Sequence, residues 1–225
     1  MKNGFVFFLG LFAALAFSWG GVLLANKQLG ALVPYYDDTE SKAFPDRPPG
    51  IAARGQLVYA DLGCAACHTQ AVRRPGFGGD QARGWGERQS VARDYIFQTR
   101  PQLGASRLGP DLTNLAGRKP SAPDAEDLLK LLYTGQGAMP GYSFLFTERA
   151  VVGEPSAKAL KFTGKLAAAS GREIVPTERA QSLVAHLLSL NNVYDYPEAR
   201  PMPKTEEKKE GGHGAAPAKK EEARK

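Results

Sequence analysis

Residues 63–70 read Gly63-Cys64-Ala65-Ala66-Cys67-His68-Thr69-Gln70, and Cys64 to His68 form a Cys-x-x-Cys-His string. That spacing is the attachment signature of c-type haem. Two thiols three residues apart on a helical turn reach the two vinyl groups on one porphyrin edge as thioethers, and the next imidazole falls beneath the iron. Two other readings of these residues exist. A thioredoxin-like redox pair needs a βαβ context, which the surrounding sequence does not supply. A plain structural disulfide leaves His68 without a role. The chain holds 2 cysteines in 225 residues, so a disulfide-dense scaffold is excluded. With 3 histidines, a four-ligand Cys/His zinc site is disfavoured as well.

A histidine-bound iron takes a second axial donor or keeps an open position. Besides Met1, the chain contains Met139 and Met202. Met202 lies in a charged, proline-flanked tail. Met139 lies in Gly137-Ala138-Met139-Pro140-Gly141, directly after a helical pattern. A lone methionine is ordinarily a gap-filler in a core. A rigid Gly/Pro loop that presents a thioether favours the ligand reading, so Met139 is the expected distal donor.

Gly4 to Ala25 is nearly unbroken apolar sequence, and residues 3–26 carry no charge. At about 1.5 Å per residue this stretch spans a hydrocarbon core of roughly 30 Å. A signal-peptide apolar region is shorter, which favours an uncleaved anchor. Lys2 precedes the stretch and predicts the N-terminus inside, with Lys27 on the far side weakening the asymmetry. The body then lies on the outer, oxidising side. Tyr35 and Tyr36 suit the interfacial belt of a membrane, or simply decorate a linker. Pro45, Pro48 and Pro49 close that linker.

The body reads as short helices joined by long loops. A helix is predicted over Ile51 to Leu62, and a weak one over Val91 to Thr99. Ser121 to Asp124 has the form of a capping box ahead of a helix over Asp124 to Thr134, which stops at Gly135. Residues 153–173 form an ill-defined insert. Thr177 to Asn191 is the clearest helix, with Leu183, Leu187 and Leu190 on one stripe. No strand pattern stands out, and the fold class is all-α.

The formal net charge is +6. Between residues 70 and 120, nine Lys/Arg face four acids, a local surplus of +5. Such a face meets nucleic acid, acidic lipid, an anionic cofactor or an acidic partner. The apolar start points the chain out of the cytoplasm and argues against nucleic acid. Arg107, Arg73 and Arg74 are candidates to neutralise haem propionates or to face an acidic partner. As exposed loop arginines they are equally at home in solvent. Trp85 and Tyr142 are read as packing residues.

The order Cys-x-x-Cys-His, then Gly109-Pro110-Asp111-Leu112, a helix, Met139-Pro140 and a terminal helix resembles a class I cytochrome c fold. The resemblance implies that the Pro110 carbonyl accepts the Nδ1–H of His68 and so fixes its tautomer. It also implies that Gly55 and Tyr59 cross the terminal helix. His186 stands where that family usually has an aromatic residue and is read as a packing residue, not an iron ligand. His213 falls in the tail.

A narrower resemblance covers most of the chain. A single N-terminal anchor leads to Arg54-Gly55 and Tyr59, running into Gly63-Cys64. Then come Cys67-His68-Thr69-Gln70, Arg73-Arg74-Pro75, Ser106-Arg107-Leu108-Gly109-Pro110-Asp111-Leu112 and Met139-Pro140-Gly141-Tyr142. Together they are similar to the mono-haem subunit II of cbb3-type cytochrome c oxidases. Residues 76–104, the Ser143-Phe144-Leu145-Phe146 that follows the Met loop, and the charged tail depart from that pattern. Composition and resemblance together divide the chain into an anchor over 1–27, a linker over 28–50 and a cytochrome c domain over 51–197, and the mix of charges with Pro and Gly predicts a disordered charged tail over 198–225. The resemblance implies one covalently attached haem c, held by Cys64, Cys67, His68 and Met139, with Pro110 and Arg107 supporting it. Its partners would be a haem–copper catalytic subunit, a di-haem cytochrome c subunit or soluble cytochrome c, and membrane lipid. The implied setting is a bacterial inner membrane with the cytochrome domain on the periplasmic side. The chain itself would relay electrons without bond chemistry. The alternative is the mono-haem subunit of another membrane complex, such as a nitric oxide reductase or an alternative quinol-oxidising complex.

Overall fold

The computed structural model describes residues 3–29, 32–118 and 120–200. The tail expectation for 201–225, with Met202 and His213, lies outside the described residues. Helix α1 runs over Gly4–Leu29. Its apolar part, Gly4–Leu24, has a mean hydropathy of 2.1 and is 0% buried within the chain. A helix apolar on every side needs a lipid or protein surround, and this one is long enough to cross a bilayer.

Residues after α1 do not run as a bare linker. Tyr35–Asp37 (β1) and Lys42–Phe44 (β2) pair antiparallel, with Tyr35 opposite Phe44. The Asp37 carboxylate accepts the Thr39 backbone N–H at 2.8 Å and closes the turn. The hairpin docks on Tyr194 and Tyr196. Phe44 stacks on Tyr194 with ring centres 3.9 Å apart, and the Tyr194 hydroxyl donates to Asp37 at 2.5 Å. Tyr35 packs against Tyr194 and Tyr196, while Tyr36 is exposed.

The scaffold of the domain is the crossing of α2 (Gly50–Asp61) and α4 (Glu178–Ser189). On α2, Ala52, Gly55, Val58 and Tyr59 are buried, the three-and-four spacing of one helical face. On α4 the buried stripe includes Ala180, Leu183, Val184 and Leu187. A Cβ on Gly55 would fall 2.5 Å from the Ser182 carbonyl carbon and 2.7 Å from the His186 Cβ, so the two backbones meet where only glycine fits. Thr177 caps α4, its hydroxyl accepting from Ala180 at 3.4 Å and donating to the Leu145 carbonyl at 2.7 Å.

Helix α3 spans Ala125–Thr134. Its cap is Asp124, which accepts the Asp127 N–H at 2.8 Å. The expected Ser121 box is thereby corrected: the acid at the end of that box is itself the N-cap. The weak helix of 91–99 shrinks to one 3₁₀ turn, Ala92–Tyr95.

The mostly helical reading holds, with two small sheets added. Besides β1–β2, Phe146–Ala150 (β3) pairs antiparallel with Arg172–Pro176 (β4). No strand was expected here, because neither segment alternates strongly alone; pairing across the insert creates both. Cross-strand ion pairs Arg149–Glu173 and Arg172–Glu148, each at 2.8 Å, hold the register.

Candidate functional site

Gly63 (φ 70°) ends α2 in the left-handed region and throws the chain into a 3₁₀ turn, Cys64–Ala66. The His68 N–H donates to the Cys64 carbonyl at 3.0 Å, so cysteines and histidine share one tight turn. Both cysteines are free thiols. Cys64 is half-buried against the core and Cys67 is exposed. Burial pushes the Cys64 thiol up to about 11, which keeps it neutral.

A second loop, 104–112, is laid over this turn. Ala105 N–H donates to the Ala65 carbonyl at 3.1 Å, and Gly109 N–H donates to the Cys67 carbonyl at 2.9 Å. The Ser106 hydroxyl bonds the Ala66 carbonyl. His68 Nδ1 lies 2.8 Å from the Pro110 carbonyl oxygen. A carbonyl only accepts, so Nδ1 is the donor in this contact and Nε2 is the ring nitrogen it leaves unengaged. A Cβ on Gly109 would stand 2.7 Å from His68 Nδ1 and 2.8 Å from Nε2, so the imidazole lies flat on a residue with no side chain.

Sequence reading missed Asp111, the residue after Pro110. It is fully buried. It accepts the Thr69 hydroxyl at 2.6 Å, the Ala71 N–H at 2.9 Å and the Thr113 N–H at 2.9 Å. The residue after His68 is thus tied to the residue after Pro110. The available signal was a threonine beside the histidine and an aspartate beside the proline, in segments far apart in sequence.

Arg107 is held by three hydrogen bonds. Its Nε donates to Thr69 at 2.9 Å, one terminal nitrogen to the Ala71 carbonyl at 2.6 Å, and the other to Asp80 at 2.5 Å. Its guanidinium also lies 5.4 Å from the Trp85 ring centre. Arg73 turns to the same Asp80 at 2.9 Å. Both guanidiniums are engaged by a buried aspartate in the 73–85 loop, Arg107 largely covered and Arg73 still exposed. Burial alone would raise the Asp80 carboxyl, but hydrogen bonds from Arg73 and Arg107 outweigh it and hold the group down at about 2. Arg74 is exposed and lies over the Phe77 ring at 5.0 Å. Trp85 is buried, its carbonyl accepting from Asn114 at 2.9 Å.

The Met loop is folded back on α3. Gly135 (φ 71°) turns the chain, Gln136 and Met139 exchange backbone bonds at 3.1 and 3.0 Å, and Tyr142 N–H donates to the Leu132 carbonyl at 2.7 Å. Met139 is half-buried on the same hydrophobic core that Cys64 packs against. Burial raises the Tyr142 phenol, with smaller contributions from Cys64 and Cys67, so the end of this loop lies near the thiol pair.

His186 is elsewhere. It is buried at the α2–α4 crossing, edge-on to Tyr59 with ring centres 5.5 Å apart, and 3.4 Å from the Gln70 amide. Burial pushes it down to about 4.

The donor set fits a haem. It offers two free thiols, an imidazole whose Nε2 is not taken up by Pro110, and a thioether on the same core. Apolar side chains stand uncovered beside both loops: Leu108 is 80% and Phe144 is 67% exposed. A bare metal ion fits less well, because no group of three or more His, Cys, Asp or Glu converges among the described residues.

A mostly helical domain that carries these donors behind an apolar N-terminal helix is a c-type cytochrome domain. Residues 38–187 match the family described as Cytochrome C oxidase, mono-heme subunit/FixO, and the chain belongs to that family. It is therefore a mono-haem cytochrome c subunit of a cbb3-type oxidase. No curated protein matches this sequence.

Proposed function

We propose that the chain holds its haem covalently through Cys64 and Cys67, with His68 and Met139 as the axial donors, and relays electrons within the oxidase. The observation that carries this reading is the 2.8 Å contact between His68 Nδ1 and the Pro110 carbonyl, set on a turn whose two cysteines are unpaired. When bound, haem supplies a one-electron change between ferric and ferrous iron. The protein supplies placement. Cys64 and Cys67 tether one edge of the group, so a small domain retains it. Pro110 holds the His68 ring in one tautomer and one orientation, and its hydrogen bond makes Nε2 a stronger donor. Met139, on a loop locked by Gly135 and by the Tyr142–Leu132 bond, supplies the soft thioether that favours a raised potential. His68 and Met139 would together hold the group through two side-chain donors, and the chain's part would be electron transfer without bond making. Arg107 supports the site through Thr69 and Ala71, the residues that follow His68.

Electrons enter from a di-haem cytochrome c subunit or soluble cytochrome c and leave to the haem–copper catalytic subunit. Helix α1 anchors the chain in a bacterial inner membrane, with the cytochrome domain on the periplasmic side. The test is chemical. Haem remains on the denatured wild-type chain in a gel and is lost in a Cys64→Ala/Cys67→Ala double variant. The red absorption of thioether-ligated ferric haem disappears in Met139→Leu. Haem that leaves the wild-type chain on denaturation refutes the covalent reading.

A further inference from the structure

The insert between β3 and β4 has no counterpart in the reading above, yet it is tied down throughout. The buried Glu173 accepts the Ser156 N–H at 2.6 Å and the Arg149 guanidinium at 2.8 Å. Lys158 donates to Gln181 of α4 at 2.8 Å. Leu160 is buried, and its N–H donates to the Ile174 carbonyl at 2.9 Å. These ties deliver one half-buried aromatic ring, Phe162, to the core.

That ring meets Tyr133, with centres 5.0 Å apart and planes at 32°. The Tyr133 ring also meets Phe146 edge-on, 5.2 Å between centres and 88° between planes. Tyr133 lies in the last turn of α3, just before the Met loop, and Phe146 opens β3 just after it. The Met loop also closes on the Tyr133 backbone: a Cβ on Gly141 would stand 2.8 Å from the Tyr133 carbonyl. The two ends of the loop are therefore clamped together by two rings, and the third ring of the column comes from the insert.

We infer that Phe162, delivered by the 153–173 insert, is a positioning residue for Met139: it braces Tyr133 and so holds the Met loop closed on the haem. The inference rests on the reading of Met139 as axial donor. Phe162 touches neither iron nor partner; it acts through Tyr133. Its loss frees the end of α3 to shift and makes the thioether easier to displace. An exogenous ligand that competes with Met139 reports this directly, because its apparent affinity is divided by the cost of opening the loop.

The experiment titrates imidazole into the full-length ferric, haem-loaded chain and follows the red thioether absorption. Phe162→Ala should bind imidazole about tenfold more tightly, the factor that one aromatic contact of ordinary strength is worth. Phe162→Leu, which keeps most of the volume and serves if the alanine variant does not fold, should give a smaller increase. Phe162→Tyr should restore the wild-type value. Gly55→Ala, which strains the distant α2–α4 crossing, should lower the melting temperature without moving the imidazole affinity; that separates bracing from general loosening. If the wild type lacks the thioether absorption, the Met139 assignment falls and the inference falls with it. If the wild type shows it and imidazole affinity is unchanged in the alanine and leucine variants, the inference alone is overturned.

Discussion

Replacing Gly55 with alanine should destabilise this protein, although the same change is usually favourable inside a helix. Alanine gains about 0.5–1 kcal/mol over glycine in helix propensity. Here the added methyl would sit 2.5 Å from the Ser182 carbonyl carbon and 2.7 Å from the His186 Cβ. Carbon atoms in contact need roughly 3.5–4.0 Å, so α2 and α4 must separate by about an ångström. One of the obstacles is backbone, which cannot rotate away. Overpacking of this kind costs about 1–3 kcal/mol, and separation also loosens Tyr59 on His186. The net loss is on the order of 1–2 kcal/mol, or roughly 2–8 °C in melting temperature for a domain of this size. Thermal melts of the haem-loaded chain, followed by far-ultraviolet circular dichroism, measure it. Gly50→Ala in the same helix is the control, since a Cβ there meets nothing within 4 Å. Gly50→Ala should melt at or slightly above the wild-type temperature. A Gly55→Ala protein that melts at or above the wild type would refute the close crossing.

Two further predictions concern pH. Asp80 is held at about 2 against an ordinary 3.8, so its contribution is complete above pH 3.8 and is lost as pH falls through 2. Asp80→Asn should lower stability at neutral pH by on the order of 2 kcal/mol and flatten the acid limb of the stability profile; an unchanged acid limb would count against the Arg73–Asp80–Arg107 arrangement. His186 is held at about 4 against an ordinary 6.5, so the folded state favours the neutral ring. Stability is then full above pH 6.5 and declines as pH falls from there through 4. His186→Phe should abolish this decline in denaturant melts between those limits, and a decline of the same size in the variant would assign it to another group.

The site was legible where chemistry is local. Cys64, Cys67 and His68 occupy one turn, and Met139 stands between glycines and a proline, so short-range spacing nominates each as a candidate donor. Gly109-Pro110 was legible through family resemblance, since nothing in its own sequence says what its carbonyl faces. The Arg107–Asp80 pair was not legible, because a positive charge in a loop does not reveal its acid. Asp80 lies 27 residues before Arg107, and only the folded 73–85 loop brings it to both Arg73 and Arg107. The strands were missed for a related reason. β1 and β2 are three residues each, and β3 meets β4 only across an insert with no periodicity of its own.

The sequence by itself determined the cofactor class, the apolar helix and the helical scaffold, because each depends on residue spacing within a turn or a single helix. Tertiary structure alone decided that the segment after α1 docks on Tyr194, that Asp111 ties the His68 turn to Pro110, and that Phe162 of the insert meets the Tyr133 ring of α3. Those contacts join residues distant in the chain. Their partners are selected by how the helices and hairpins pack, and local sequence carries no record of that choice.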